Sequence, residues 1–353
     1  MLKKLTYHPF FIKLFNWEYW SFNAVYAPIY VVWLFLCLRA RSFFFFNVSN
    51  PTIKNGGFLQ ESKKEIYDLI PPAYYPKTIL FKARSSANTV VDEVRRQEFA
   101  FPLIAKPDIG MRGLQVKKIT SFAELADYCN KSKVDFLVQQ YIAYENEVGI
   151  FYYRYPGEQC GHISGIVGKE LLTITGDGIL TVEELLQKDK RYILQLPVLR
   201  TTYAVQMQCI LAAGEKFLMV PYGNHARGAK FVDISHSIDA ELTNTIDRIC
   251  SGVNGFYFGR LDIRYNTWEE LKEGKNFSII ELNGAGSEPT HIYDPRHSIF
   301  FAWREIIRHW VILQKISISN HKRCGLTYMT LSEGLTMFRD NKAYVKILNE
   351  KIH

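Results

Sequence analysis

The sequence predicts an α+β protein with an apolar helical segment at its front and a helical extension at its end. Three observations carry this reading. From Thr78 onward, short runs rich in β-branched and aromatic residues alternate with amphipathic stretches. Tyr19 to Leu38, "YWSFNAVYAPIYVVWLFLCL", holds twenty residues without a charge. After about residue 299 the apolar residues recur at helical spacing, with Trp303, Ile306, Ile307, Trp310 and Leu313 on one face, the pattern of a core-packing helix first and of a membrane-surface helix second.

The chain of 353 residues is long enough for about two domains, and its 48% hydrophobic content supplies a substantial core. A net charge of +8 and a pI near 9.0 suit an anionic partner. Nucleic acid is excluded as that partner. The 43 Lys and Arg residues are scattered, with no arginine-rich run and no zinc-finger or RNP-type motif. The six cysteines, at 37, 129, 160, 209, 250 and 324, include no C-x-x-C pair, which points to a reducing compartment without a structural zinc or a disulfide framework.

The apolar front has the length of a bilayer's hydrocarbon core. A cleaved signal peptide is not expected, because Lys3 and Lys4 lie far from the apolar run and no small-residue cleavage site follows it. Pro28 removes a backbone donor in mid-run. Lys3, Lys4 and Lys13 before the run balance Arg39, Arg41 and Lys54 after it, so the positive-inside rule gives no orientation. A broken helix that contacts the membrane is expected, and a buried helical hairpin of a soluble core is the alternative.

Residues 47–78 mix turn dipeptides (Asn50-Pro51, Gly56-Gly57, Pro71-Pro72) with one short helix over Glu61–Leu69, and read as a linker-like subdomain. Next come the strand "TILF", a helix over Ser86–Gln97, the strand "LIAK", a loop, the strand "QVKKI", a helix over Phe122–Lys131, and the strands "FLVQQYI" and "EVGIFYYR". A second block carries the strands "HISGIVGK", "KFLMVPYG", "GFYFGRLDIRY" and "FSIIELNG", with helices near Val182–Gln187 and Asp239–Ser251. The predicted division is 1–75, 76–160, 161–298 and 299–353.

In "FPLIAKPDIGMRGLQV" (101–116) Lys106 precedes the glycines, so the stretch fits neither a Walker A loop nor a G-x-G-x-x-G fingerprint. Its meaning depends on "GRLDIRYN" (259–266) and "FSIIELNGAG" (277–286). Asp262 lies in an alternating strand, and Glu281 and Asn283, two residues apart, share one face of another. If those strands pair, three hard oxygen donors converge as Mg²⁺ prefers. Carboxylates buried together need a cationic partner; a metal supplies one, and a salt bridge to Arg260 is the equal alternative.

Taken in order, Lys106 in "LIAKP", the loop "DIGMRG", the strand "FLVQQYIAYENEVGI", and Asp262, Glu281 and Asn283 resemble the ATP-grasp superfamily. Within it they look like the carboxylate–amine ligases typified by D-alanine–D-alanine ligase, over about residues 76–290. "TGDGILTVEELL" (175–186) is similar to a segment of cyanophycin synthetase, and "GNHARGAKFVDIS" (223–235) resembles a loop of the enzymes that add glutamate to a ribosomal protein.

The resemblance implies two α+β subdomains that grip ATP with two Mg²⁺ ions, for which Mn²⁺ can substitute. Asp262, Glu281 and Asn283 would hold the metal. Lys106 would neutralise the α- and β-phosphates, and the loop Asp108–Gly113, with Gly110, Arg112 and Gly113, would fold over the β- and γ-phosphates. Met111 and Arg112 stand where relatives have more glycine. The strand Val138–Ile142 would offer backbone hydrogen bonds to adenine through Gln140 and Ile142, with Gln139 where relatives often carry an acid. Glu147, or Glu145 in competition with it, would take the ribose hydroxyls. Lys169, Arg227 and Asn224 would contact the transferred phosphoryl group, and Arg260 would join Lys106 in neutralising its charge.

The implied reaction joins a carboxylate to an amine through an acylphosphate. The aromatic front stands where the D-alanine enzyme has an α/β domain, which suggests a lipid-like or membrane-presented substrate, held by that front and the Trp303/Trp310 helix. The implied location is cytoplasmic, peripheral or monotopic at the membrane face. A kinase of the same fold and a nucleotide-binding regulator are the alternatives.

Overall fold

The computed structural model describes residues 7–111, 113–220, 223, 225 and 228–350. Its strands are β1 (Thr78–Phe81), β2 (Leu103–Pro107), β3 (Lys117–Ile119), β4 (Phe136–Gln140), β5 (Asn146–Tyr153), β6 (His162–Glu170), β7 (Leu172–Thr175), β8 (Lys216–Val220), β9 (Lys230–Asp233), β10 (Phe258–Tyr265) and β11 (Phe277–Asn283). The helices that matter below are α1 (Tyr30–Ala40), α2 (Lys63–Leu69), α3 (Ala87–Arg96), α4 (Phe122–Lys131), α5 (Ala240–Ser251), α6 (Ile299–Cys324) and α7 (Leu331–Asn349). This is an α+β fold with antiparallel sheets, as the alternation from Thr78 predicts.

The chain forms two compact units. The larger comprises Val31–Ile166, Ser237–Pro289 and the residues from Ile306 on; the smaller comprises the residues up to Tyr30, Val167–His236 and Thr290–Glu305. These boundaries do not coincide with the division at 75, 160 and 298, because residues 31–75 pack with the larger unit.

Within the larger unit, β1–β4 form an antiparallel sheet in the order β1-β4-β2-β3. Helices α3 and α4 lie against it because each puts apolar residues on one face: Val90 and Val94 on α3, Leu125 and Tyr128 on α4, packed on Leu103, Ala105, Phe136 and Val138. Ser86 and Ser121 cap the two helices through their side-chain oxygens, each accepting from a backbone N–H three residues on. The second sheet of this unit runs β11-β10-β5-β6, and β6 continues past Ile166 into the smaller unit, where Val167–Glu170 pair with β9.

Residues 44–59 are not a linker. Asn50 is fully buried and makes four hydrogen bonds: its Nδ2 donates to the carbonyls of Gly56 (2.8 Å) and Phe258 (2.9 Å), and its Oδ1 accepts from the N–H of Tyr257 (2.8 Å) and Phe258 (3.0 Å). Beside it, the N–H groups of Ala285 and Gly286 donate to the carbonyls of Gly56 and Gly57 at 2.9 and 2.8 Å. The backbones come so close that a Cβ on Gly57 would sit 2.7 Å from the Gly284 Cα, and Gly57 also has φ +76°. The chain leaving β11 is therefore fixed by backbone pairing that only glycine permits here.

The apolar front breaks at Pro28 as expected, with helix over Phe22–Tyr26, a 3-10 turn over Ala27–Ile29 and then α1. The long helix α6 takes the core-packing reading of its apolar face over the membrane-surface one. In the larger unit Ile312, Leu313 and Ile316 pack on Leu36, Cys37 and Ala40 of α1, and Trp310 meets Trp33 edge-on at 5.1 Å. In the smaller unit the Trp303 Nε1 donates to the Val25 carbonyl at 2.8 Å. The tryptophan face of α6 is committed to protein packing, so it is not a surface that faces a leaflet.

The smaller unit also holds a two-stranded β7–β8 sheet over a Leu- and Met-rich cluster. "TGDGILTVEELL" is a turn and a cap: Asp177 Oδ1 accepts from the N–H of Ile179 and Leu180, and Thr181 and Glu184 form a capping box. Glu18 is buried there against Arg191 (2.6 Å) and His225 (2.9 Å).

Replacing Asn50 by Ala removes four hydrogen bonds to backbone groups at once, of which the Gly56 carbonyl keeps a second partner in the Ala285 N–H, for an expected loss of about 3 kcal/mol. Urea unfolding monitored by circular dichroism measures it. A change within experimental scatter of the native protein would show that this junction is dispensable.

Candidate active site

The larger unit brings the predicted lysine and carboxylates together. β10 and β11 pair antiparallel with Asp262 opposite Glu281 and Arg260 opposite Asn283. Alternation along each strand puts all four on one face of the sheet. A register shift falls just after Asp262, between it and Ile263.

Lys106 reaches this sheet from β2. It is 8% exposed, and its Nζ donates to Tyr67 Oη (2.9 Å), Gln139 Oε1 (2.9 Å) and the Ile280 carbonyl (3.2 Å), next to Glu281. The Tyr67 hydroxyl donates to the same carbonyl, and Gln139 is held by a bond from its Nε2 to Thr78 Oγ1 at 2.8 Å. All three acceptors around Lys106 are neutral. Burial pushes its ammonium down to about 7; the Glu281 charge works against burial and the Lys63 charge works with it.

Glu281 is taken by Lys63, a residue the sequence reading missed. The Lys63 Nζ lies 2.9 Å from Glu281 Oε1. Burial opposes the charge on Glu281, but the charge and hydrogen bond of Lys63, with Lys106 and Arg260 adding, hold the carboxyl far below the usual range. Burial also works against Lys63, and Glu281 outweighs it, so Lys63 stays protonated. Its side chain passes the predicted phosphate loop, where a Cβ on Gly110 would come within 3.2 Å of the Lys63 Cε and Nζ. That loop is tied to α2: the Asp108 carbonyl accepts from Lys63 N, and its Oδ1 accepts from Lys64 N at 2.9 Å.

Asp262 is held in a fork by Arg260, Nε to Oδ1 at 3.0 Å and Nη2 to Oδ2 at 3.1 Å, while Arg260 Nη1 donates to the Glu288 carbonyl. The salt-bridge alternative thus holds for Asp262. Asn283 keeps its buried Nδ2 without a hydrogen-bond partner, and so does the buried Oε2 of Glu61. Burial raises Glu61 above the ordinary carboxyl range, with Lys63 opposing and Glu281 reinforcing. Glu61 is thus a third carboxyl group near Glu281. Among the described residues no cluster of three or more His, Cys, Asp or Glu forms a closed metal cage. Two opposed carboxylates and the side-chain oxygen of Asn283 nonetheless form a donor set that fits a hard cation sharing its coordination with phosphate and water.

The predicted adenine strand needs correction. β4 lies between β1 and β2, so both its edges are spent on sheet pairing. The Gln140 N–H donates to the Lys77 carbonyl, and its side chain closes on the backbone of Ala100. Free backbone begins only after Gln140, and there Arg264 Nη1 donates to the carbonyls of Ile142 (3.4 Å) and Tyr144 (3.2 Å). Glu147 is buried opposite Arg264 on the face that carries Asp262, 3.4 Å from its guanidinium, whereas Glu145 is exposed. Gly113 adopts φ +74° in the turn closing the loop.

Lys169 lies in the smaller unit on β6, opposite Phe231. Arg112, Asn224 and Arg227 lie outside the described residues. The signal for Lys63 and Tyr67 was present in the sequence: four apart on a short helix, they share a face.

No protein-family model matches the sequence, and no curated protein matches it. Among solved structures the chain is similar to the VanG D-Ala:D-Ser ligase of Enterococcus faecalis, at 15% identity and a TM-score of 0.41, over 72% of this chain and 61% of that one. It is similar to a bifunctional glutathione synthetase of Pasteurella multocida, at 12% identity and a TM-score of 0.39, over 74% of this chain and 38% of that one. It is also similar to the D-alanine–D-alanine ligase of Bacillus anthracis, at 14% identity and a TM-score of 0.38, over 72% and 68%. Scores this low assign neither substrate nor residue.

The Lys106 environment gives a pH prediction. With its amine depressed to about 7, Lys106 is mostly neutral at pH 8, and arrival of a polyphosphate raises its affinity for a proton. Binding of Mg-nucleotide at pH 8 should therefore take up close to one proton, read as buffer-dependent calorimetric enthalpies, and Lys106→Met should abolish the uptake. Equal uptake by the variant would place the proton elsewhere. The free protein should gain stability from Lys106 as pH rises from about 7 to 10, because over that window the unfolded chain binds the proton and the folded one does not.

Proposed function

We propose that this chain is an ATP-dependent carboxylate–amine ligase of the ATP-grasp type. The observation that carries the reading is the meeting of Lys106 with the opposed Asp262 and Glu281 in one unit, through Ile280 and Lys63. Two cations reach the triphosphate position from separate elements, and two carboxylates and an amide share one face of a sheet. Phosphoryl transfer needs positioning and charge neutralisation above all, and these groups supply both.

In this reading Lys106 and Lys63 hold phosphate oxygens, with Gly110 leaving the loop backbone free to approach them. Asp262, Glu281 and Asn283 would hold two Mg²⁺ ions, which would supply positive charge against the phosphates. Arg260 keeps Asp262 oriented, and Glu147, held by Arg264, takes the ribose hydroxyls in preference to the exposed Glu145. Lys169, Arg227 and Asn224 remain assigned to the transferred phosphoryl group. A substrate carboxylate oxygen bonds to the γ-phosphorus as the bond to the bridging oxygen breaks and ADP leaves. An amine nitrogen then bonds to the acyl carbon, inorganic phosphate departs, and the nitrogen gives up a proton.

The finer reading is that one substrate is amphiphilic and met at the cytoplasmic face of a membrane. The apolar stretch Phe22–Ala40, only 28% of which is buried, supports it. The regulator alternative draws on one observation, that Asp262 and Glu281 each already have a cationic partner.

Turnover separates these readings. With candidate carboxylates and amines supplied in pairs, ADP and phosphate release should require both, and Asp262→Ala or Glu281→Ala should lower the rate at least a hundredfold while the variants keep the native circular dichroism spectrum. Release that needs only a hydroxyl compound would indicate a kinase, and nucleotide binding with no turnover for any pair a regulator.

A further inference from the structure

We infer that α1 carries the membrane-docking surface, lying in the headgroup plane of an anionic bilayer. The inference rests on the membrane half of the reading above and is independent of the ligase chemistry. Val31, Leu34, Phe35 and Leu38 recur at i, i+3, i+4 and i+7 along α1 and are all exposed, from 53% at Leu34 to 74% at Leu38. Phe43 continues the apolar surface beyond the helix end. The opposite face is occupied, with Leu36, Cys37 and Ala40 buried against α6.

That one-sidedness decides how α1 meets lipid. A spanning helix needs an apolar surface all round, whereas half of α1 is committed to its own unit and the chain bends at Pro28 just before it. The exposed half suits shallow insertion parallel to the surface, to the depth of its side chains.

The charges select the occupant. From Tyr19 through Phe44 there is no acidic residue, and the only charges are Arg39 and Arg41, both exposed and beside Leu38 and Phe43. Pairing this stripe with the same stripe of a second copy would bring four guanidinium groups together with no carboxylate from the stripe to separate them. Anionic headgroups neutralise the same two arginines while the apolar residues enter the acyl boundary. At the end of the stripe, Phe44 places its ring 6.1 Å from Phe338 of α7, a helix whose Leu335 and Phe338 are also exposed.

Vesicle co-sedimentation of the full chain tests this, with phosphatidylcholine vesicles made with and without phosphatidylglycerol. Three proteins are compared: native, Leu34→Glu/Leu38→Glu and Arg39→Gln/Arg41→Gln. The native protein should sediment with the anionic vesicles; the glutamate variant should partition at least tenfold less, with an unchanged thermal melt. The glutamine variant should lose the preference for phosphatidylglycerol. If the native protein sediments with neither vesicle, the membrane reading itself falls. If it sediments and the glutamate variant follows within twofold, a different surface docks and this inference is overturned. A native protein that ignores vesicles but forms a dimer by light scattering, with the glutamate variant monomeric, would show a second copy as the occupant.

Discussion

The arrangement depends on one register. Because β10 and β11 pair with Asp262 opposite Glu281, two carboxylates lie side by side on a buried face, a placement that costs several kcal/mol unless cations answer it. Much of the surrounding structure supplies those cations. Arg260 answers Asp262 from two residues away on the same strand, and Lys63 answers Glu281 from a helix more than two hundred residues earlier in the chain. Lys106, the third amino group, is left with neutral acceptors, so burial, with the Lys63 charge adding, depresses its proton affinity.

The same division describes a site arranged for exchange of partners. Each carboxylate is neutralised by a side chain that can also bind phosphate, so an incoming anion with its own cations can take over both sets of contacts without leaving a buried charge unmatched. The orphaned polar atoms of Asn283 and Glu61 lie among these groups and have unmet hydrogen-bonding capacity. Asn283 is opposite Arg260, so its amide belongs to the same face.

Much of the fold was legible in the sequence. The strands "TILF", "LIAK" and "FSIIELN" and the helices from 87 to 96 and 122 to 131 fall where period and capping residues put them, because each has one apolar face and local end signals. Strands β7 and β9 were missed: β7 follows β6 after a single residue, so no turn signal separates them, and β9 lies inside "GNHARGAKFVDIS", which reads as a loop. In the site, Asp262, Glu281 and Lys106 could be read because alternation fixes which face a strand residue takes. Lys63, Glu61 and Tyr67 were lost inside a stretch dominated by turn dipeptides, since nothing local says which distant sheet a short helix will meet. The strand "FLVQQYI" shows the same limit: the sequence announces a strand, and only the sheet order reveals that both edges of Phe136–Gln140 are in use.

The junction at Asn50 bears on how the chain can be made. Its amide satisfies groups at Gly56 locally, but its other three bonds wait on Tyr257 and Phe258, 207 and 208 residues further along. On a ribosome the aromatic front therefore emerges long before the partners that order it. Its apolar helix keeps its packing face bare for that interval, since the α6 residues that cover it, Ile312, Leu313 and Ile316, come later still.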